Sequence, residues 1–161
     1  MNAGLTLGSL FDGIAGFPLA AGRHGIKTVW TSEIEPNCID IAGRHFPDAV
    51  NLGDITGIKG GEIPVVDIIS FGSPCQDLSV AGKQTGLDGS RSGLFMEAVR
   101  IIREMREKTD GEYPKYIIWE NVAGAFSSNK GEDFRRVLEE ITEASIPMPT
   151  SGKWASAGLV G

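Results

Sequence analysis

The sequence predicts an α/β domain on a mostly parallel sheet with helices on both faces. Short apolar, β-branched runs alternate with segments of helical period. A glycine turn, Asp12-Gly13-Ile14-Ala15-Gly16, joins the first run to the first helix. Asp12, Glu33, Asp54, Cys75 and Glu120 each stand just past an apolar run. In an open parallel sheet that edge, beyond the carboxyl ends of the strands, is where ligands bind.

The first strand is expected over Leu5 to Phe11, and Phe17-Pro18-Leu19-Ala20-Ala21 opens the helix after the turn. Lys27 to Ser32 is β-branched and aromatic and predicts a second strand ending at Glu33. Pro36 suits the first turn of a helix running to about His45. Ala49 to Leu52 predicts a short third strand ahead of Gly53-Asp54. Val65 to Phe71, read as an apolar run, predicts a fourth strand buried on both faces.

Gln76 to Ser92 is rich in Gly, Ser and Asp and is expected to be a long mobile loop. Loops of this length in compact domains tend to be lids or disordered segments. Leu94, Phe95, Ala98, Val99, Ile102 and Met105 recur at helical spacing. Tyr116 to Trp119 predicts a fifth strand, and Phe134, Val137, Leu138 and Ile141 a last helix. Residues 1–145 thus form the expected domain. Residues 146–161, with Pro147, Pro149 and several Gly and Ser, are expected to be a connector, disordered in whole or in part.

Composition narrows the function classes. A chain of 161 residues with 41% hydrophobic and 22% charged content can bury a full core. No apolar run approaches the roughly 20 residues that span a bilayer. Met1-Asn2-Ala3-Gly4 sets no basic stretch ahead of an apolar one, so a cytoplasmic location is expected. Two cysteines, Cys38 and Cys75, are too few for a disulfide framework or a zinc site, and no metal is expected. The net charge of −6 has the wrong sign for a free-standing nucleic-acid binder. A nucleic-acid substrate would need basic surface that is local or lies on another segment.

The candidate site residues each carry a plain reading beside a functional one. The glycine turn matches a dinucleotide fingerprint only in its first two glycines, and a simple tight turn satisfies the same residues. Glu33 follows Gly16 by 17 residues, near the usual offset of a carboxylate that binds ribose hydroxyls; alone it is equally a solvated acid. Asp54 could accept from an adenine amino group or cap the Ile55-Thr56 segment.

Cys75 follows proline and opens a polar loop at the ligand edge, which favours a reactive thiol over a small buried hydrophobe. Cys38 lies on the second helix between apolar positions and reads as core. Glu120 ends an apolar strand, so part-burial and a raised pKa are expected; capping of the next turn is the alternative. His24 and His45 sit near helix ends and are read as capping or surface residues.

Together these stretches resemble the N-terminal catalytic region of the cytosine-5 DNA methyltransferases. The resemblance rests on Leu10-Phe11-Asp12-Gly13-Ile14-Ala15-Gly16-Phe17, Ser32-Glu33, Gly53-Asp54-Ile55, Gly72-Ser73-Pro74-Cys75-Gln76, Ser90-Arg91-Ser92-Gly93-Leu94-Phe95 and Glu120-Asn121-Val122. They occur in the family's order over about residues 5 to 145. The correctly ordered Pro-Cys-Gln and Glu-Asn-Val pair is the most specific part.

The resemblance implies a Rossmann-like S-adenosylmethionine-dependent methyltransferase fold, incomplete at its C-terminal end. It implies S-adenosylmethionine as methyl donor. Phe11, Asp12, Gly13, Ile14 and Gly16 would bound its methionine portion, Glu33 its ribose, and Ile34, Asp54 and Ile55 its adenine, with Pro74 beside it. Cys75 would add as thiolate to carbon 6 of cytosine. Glu120 would bind or protonate ring nitrogen 3, and carbon 5 would then attack the methyl sulfonium before Cys75 leaves.

Asn121 would support that geometry, Pro74 would shape the approach to Cys75, and the Gln76–Ser92 loop with Lys83 and Arg91 would close over a base swung out of double-stranded DNA. Asp12 stands where many relatives carry alanine. The family's Gln-Arg-Arg-type segment and target-recognition domain are not seen in the sequence. A fragment, one half of a split enzyme needing a complementary chain, a donor-binding module without turnover, and the branch acting on transfer RNA are the alternatives. Truncation would leave a sheet edge through which the chain could self-associate.

Overall fold

A computed structural model of the chain describes residues 4–72, 93–121 and 123–154. The expected Gln76–Ser92 loop, with Pro74, Cys75 and Arg91, lies outside the described residues. The chain divides into two compact units, one of Met1–Ser73 with Arg100–Glu120, the other of Pro74–Val99 with Asn121–Gly161.

The first unit is the sheet. Its strands are β1 (Thr6–Leu10), β2 (Lys27–Ser32), β3 (Val50–Asn51), β4 (Ile68–Phe71) and β5 (Tyr116–Trp119), in the order β3-β2-β1-β4-β5. Every pairing is parallel. The helix α1 (Gly16–Arg23) joins β1 to β2, α2 (Pro36–His45) joins β2 to β3, and α3 (Gly93–Lys108) precedes β5. The order runs outward in one direction through β2 and β3 and in the other through β4 and β5. Right-handed crossovers therefore set α1 and α2 on one face and the Arg100–Lys108 part of α3 on the other. The switch of direction falls between β1 and β4, the place at which open parallel sheets generally bind their ligands.

Three strands are shorter than the sequence predicts. Phe11 takes a left-handed φ of +54° and ends β1 one residue early. β3 keeps only Val50 and Asn51, and the chain leaves the strand direction at Gly53, which takes φ +74°. β4 begins at Ile68 because Asp67 is engaged at its start. The Asp67 carboxylate accepts from the Thr6 N–H at 3.0 Å, from Thr6 Oγ1 at 2.8 Å and from Lys115 Nζ at 2.8 Å. It thereby fastens the amino ends of β1, β4 and β5. Hydrogen bonding from Lys115 and Thr6 holds its carboxyl below the usual range.

The core places Leu7, Leu10, Trp30, Val66, Ile69, Phe71, Ile101 and Met105 out of solvent. Trp30 pairs in register with Gly8, where the β1–β2 ladder shifts. The indole covers Gly8 so closely that a methyl group there would overlap the ring. Trp30 Nε1 donates to the Pro64 carbonyl at 2.9 Å, so this buried donor is satisfied.

In the second unit, short turns over Ala123–Phe126 and Ser128–Gly131 lead into α4 (Glu132–Thr142). Phe134 meets Phe126 edge-on with centroids 4.7 Å apart and Trp154 at 5.2 Å. Trp154 Nε1 donates to the Gly131 carbonyl at 2.9 Å, so the chain beyond α4 folds back on its start. Among the described residues no helix is long and apolar enough to cross a membrane.

Candidate functional site

The carboxyl ends of β1, β2 and β3 form one hydrogen-bonded rim. Gly13 takes φ +55° and Ala15 φ +69°, so with Phe11 three left-handed residues fold the turn back on itself. Such backbone costs roughly 1 kcal/mol for a residue with a side chain. The turn is held by Glu33. Gly13 N–H donates to Glu33 Oε2 at 2.8 Å, while the Ile34 and Glu35 N–H groups donate to Oε1 at 2.8 and 2.9 Å. One carboxylate therefore ties the glycine turn to the start of α2. An ionised carboxylate accepts at about four lone-pair sites, so Oε2 keeps capacity for a hydroxyl.

Asn51, which the sequence reading passed over, locks the third strand end to the same rim. Glu33 N–H donates to Asn51 Oδ1 and Asn51 Nδ2 donates to the Glu33 carbonyl, both at 3.1 Å. Ser32 Oγ donates to the Gly53 carbonyl at 2.7 Å. Its signal was an amide ending a short strand just before Gly53-Asp54.

Around this frame the predicted residues fall in distinct environments. Phe11 is half-buried and Gly16 is the first residue of α1. Ile14, next to Gly13, and Ile34, next to Glu33, are large apolar side chains left 65% and 69% exposed. Asp54 is exposed and its Oδ1 accepts from both the Thr56 N–H and Thr56 Oγ1 at 2.9 Å, so the capping interaction is formed. Those bonds hold its carboxyl below the usual range. Ile55 buries its side chain and anchors that turn.

Asp12 is 6% exposed. Ser9 Oγ donates to its Oδ1 at 2.6 Å, and Oδ2 is buried without a hydrogen-bond partner. Burial pushes its carboxyl up to about 6 against the opposing Ser9 bond, with help from the Glu33 charge. Cys38 is half-buried rather than core, with its thiol pushed up by desolvation and by the charges of Glu33, Glu35 and Asp12.

Glu120 departs from expectation: it is exposed, not part-buried. β5 is an edge strand with alternating exposure, so Glu120 leaves the sheet on an open side. Its N–H donates to the Phe71 carbonyl at 2.9 Å, which sets it beside the end of β4. A Cβ on Gly72 would lie 2.6 Å from Glu120 Oε2. Glycine at 72 is thus what lets the carboxylate lie against the strand end from which the chain runs on to Pro74 and Cys75. Asn121 is half-buried. Among the described residues no cluster of His, Cys, Asp or Glu could hold a metal.

The model of the C-5 cytosine-specific DNA methylase family matches residues 5–145. The chain belongs to that family. It is 34% identical over 153 residues to the type II methyltransferase M.NlaIV of Neisseria lactamica, covering 91% of this chain and 34% of that protein. It is 35% identical over 130 residues to the DNA N-6-adenine-methyltransferase of Escherichia phage P1, covering 77% of this chain and 17% of that one. Its fold matches the crystal structure of the S. pombe Dnmt2 methyltransferase with a TM-score of 0.62 at 23% identity, over 84% of this chain and 41% of the other.

The chain thus spans about a third of M.NlaIV and less of the phage protein. S-adenosylmethionine is the methyl donor of the C-5 methylase family. The parallel strand order is the Rossmann-like arrangement that the resemblance implies.

Proposed function

We propose that this chain is the donor-binding and catalytic portion of a methyltransferase acting on carbon 5 of cytosine in DNA. The observation that carries the reading is the Glu33 carboxylate, which bridges Gly13 and the start of α2, with exposed Ile14 and Ile34 next in sequence to Gly13 and Glu33. That arrangement suits a ligand with an apolar ring and vicinal hydroxyls. Glu33 would accept from the ribose, Ile34 would cover the adenine, and Asp54 would receive its amino group. Ile55 would support that loop, and Phe11, Gly13, Ile14 and Gly16 would enclose the methionine portion, with Pro74 alongside. S-adenosylmethionine supplies an electrophilic methyl group when bound.

The chain's own residues would do the remaining work. Cys75 would attack carbon 6 of the cytosine, forming a carbon–sulfur bond and pushing electron density toward carbon 5. Glu120 would hold ring nitrogen 3, its carboxylate lying where the absent Cβ of Gly72 leaves room for it. Asn121 would brace Glu120, and Arg91 would close over the base. Loss of the carbon 5 proton to a base then expels Cys75 as thiolate. Residues 1–145 serve in this reading as the catalytic region and residues 146–161 as a connector.

Double-stranded DNA is the partner, with the base swung into the pocket. The acidic balance of −6 fits a base-reading surface that is local, lies on other segments or belongs to a complementary chain. β5 exposes Tyr116 and Ile118 on the sheet's edge, and such a chain or a second copy would pack there.

The test is covalent trapping on duplex DNA containing 5-fluorocytosine, with S-adenosylmethionine and a target-reading chain added. The reading expects a stable adduct mapping to Cys75 and its loss in Cys75→Ser. An adduct that survives the substitution contradicts it. Trapping on transfer RNA but not DNA would assign the RNA branch instead.

A further inference from the structure

Asp54 stands on a turn that α3 fastens from a distance in sequence. The short helical turn Ile55–Gly57 begins at Asp54 and ends at Ile58, and the side chains of Ile55 and Ile58 are buried. Carbonyls at the end of a helical turn attract a cation. Arg100 supplies one from 42 and 45 residues along the chain. Its guanidinium donates to the Ile58 carbonyl at 2.8 Å and to the Ile55 carbonyl at 3.3 Å.

Glu104, one turn further along α3, completes the grip. Its Oε1 accepts from Arg100 at 2.9 Å and its Oε2 accepts the Gly60 N–H at 2.6 Å. The loop backbone lies directly on the helix there, since a Cβ on Gly60 would come 2.2 Å from the Ile101 carbonyl oxygen. One pair of side chains thus holds backbone groups at Ile55, Ile58 and Gly60, all within the first unit. Arg100 and Glu104 are 33% and 34% exposed, and an ion pair so open to water adds little stability by itself. What it supplies is geometry, because the guanidinium presents its donors in a rigid planar fork.

At the start of the same turn Asp54 is exposed. Its Oδ1 is engaged by the Thr56 N–H and Oγ1, both at 2.9 Å, so Oδ2 is the oxygen left for an incoming amine. Hydrogen bonds hold over a narrow range of distance and angle. The place of Oδ2 follows the turn, and the turn follows Arg100 and Glu104.

We propose that Arg100 and Glu104 are positioning residues that set Asp54 for the adenine amino group, so that α3 governs which purine the donor site accepts. The inference rests on the reading of Asp54 as the adenine ligand under the proposed function. Both residues act through Asp54 and are not ligands themselves.

The experiment is calorimetric titration of the full chain with S-adenosylhomocysteine and with S-inosylhomocysteine, which carries an oxo group in place of the adenine amine. Wild type is expected to prefer the adenine compound by about tenfold or more, the scale of one hydrogen bond to a charged group. Arg100→Met is expected to cut that preference to about threefold or less, with the inosine compound bound as before. Arg100→Lys should recover part of it, since an ammonium is a point charge and lacks the fork. A merely structural role would weaken both ligands alike and leave their ratio unchanged. Glu104→Gln keeps an acceptor for Gly60 but loses the charge facing Arg100, and it carries the same test should Arg100→Met not fold.

Asp54→Ala separates the inference from the reading beneath it. A preference lost in Asp54→Ala but kept in Arg100→Met and Glu104→Gln overturns the positioning role alone. A preference kept in Asp54→Ala, or absent from folded wild type, overturns the adenine assignment of Asp54 and this inference with it. A folded wild type that binds neither ligand overturns the donor-site reading as a whole.

Discussion

Glu33 reaches back across the rim to Gly13, accepting its N–H at 2.8 Å, and so one side chain fixes both the glycine turn and the start of α2. The same carboxylate is the proposed ribose ligand. Glu33→Ala removes both functions, and S-adenosylmethionine affinity is expected to fall by about 1.5–3 kcal/mol, the scale of a hydrogen bond to a charged group. Calorimetry on the purified variant checks this. An unchanged affinity would remove Glu33 from the site.

Gly72 has no role in the chemistry and is nonetheless expected to be essential to it. A methyl group there would meet Glu120 Oε2 at 2.6 Å and push the carboxylate aside. Displacement of a catalytic group by about 1 Å costs on the order of 10²-fold in rate. Gly72→Ala in the reconstituted enzyme should lower kcat by about that factor and leave donor affinity intact. Steady-state methylation with separate donor titrations separates the two.

Gly8 tests the fold rather than the site. Its missing side chain is the seat of Trp30. Gly8→Ala should destabilise the chain by about 1–3 kcal/mol, the usual cost of overpacking. Chemical denaturation monitored by tryptophan fluorescence measures it. Full stability would show that the indole moves at no cost.

The Asp67 junction gives a pH signature. Its folded carboxyl lies below the ordinary value through bonding with Lys115 and Thr6, so its stabilisation is complete above about pH 4 and fades as pH falls through the folded value. Asp67→Asn is expected to cost about 1 kcal/mol at pH 7, near the low end because Lys115 is partly exposed. The gap between the variants should shrink as pH drops below 4. A gap independent of pH in thermal melts would assign the effect to packing instead.

The sheet was legible in the sequence because each strand is a short apolar run closed by a turn residue, and parallel alternation leaves few topologies. The rim residues were legible for the same reason: Asp12, Glu33, Asp54 and Glu120 stand where runs stop. What escaped were polar residues inside the runs. Val65 to Phe71 reads as apolar, yet Asp67 fastens three strand starts and Ser70 supports Ser9. Their roles depend on partners about 60 residues away in sequence, at Thr6 and Ser9, which no local pattern shows. The exposure of Glu120 escaped because an apolar strand does not announce that it lies at an edge.

The central claim is that the frame around Glu33 binds S-adenosylmethionine. It is tested most directly by titrating the donor into the 161-residue chain by isothermal calorimetry. Saturable one-to-one binding that weakens in Glu33→Ala is the predicted result. A folded chain that takes up no donor, or binds it equally well without Glu33, would contradict the account.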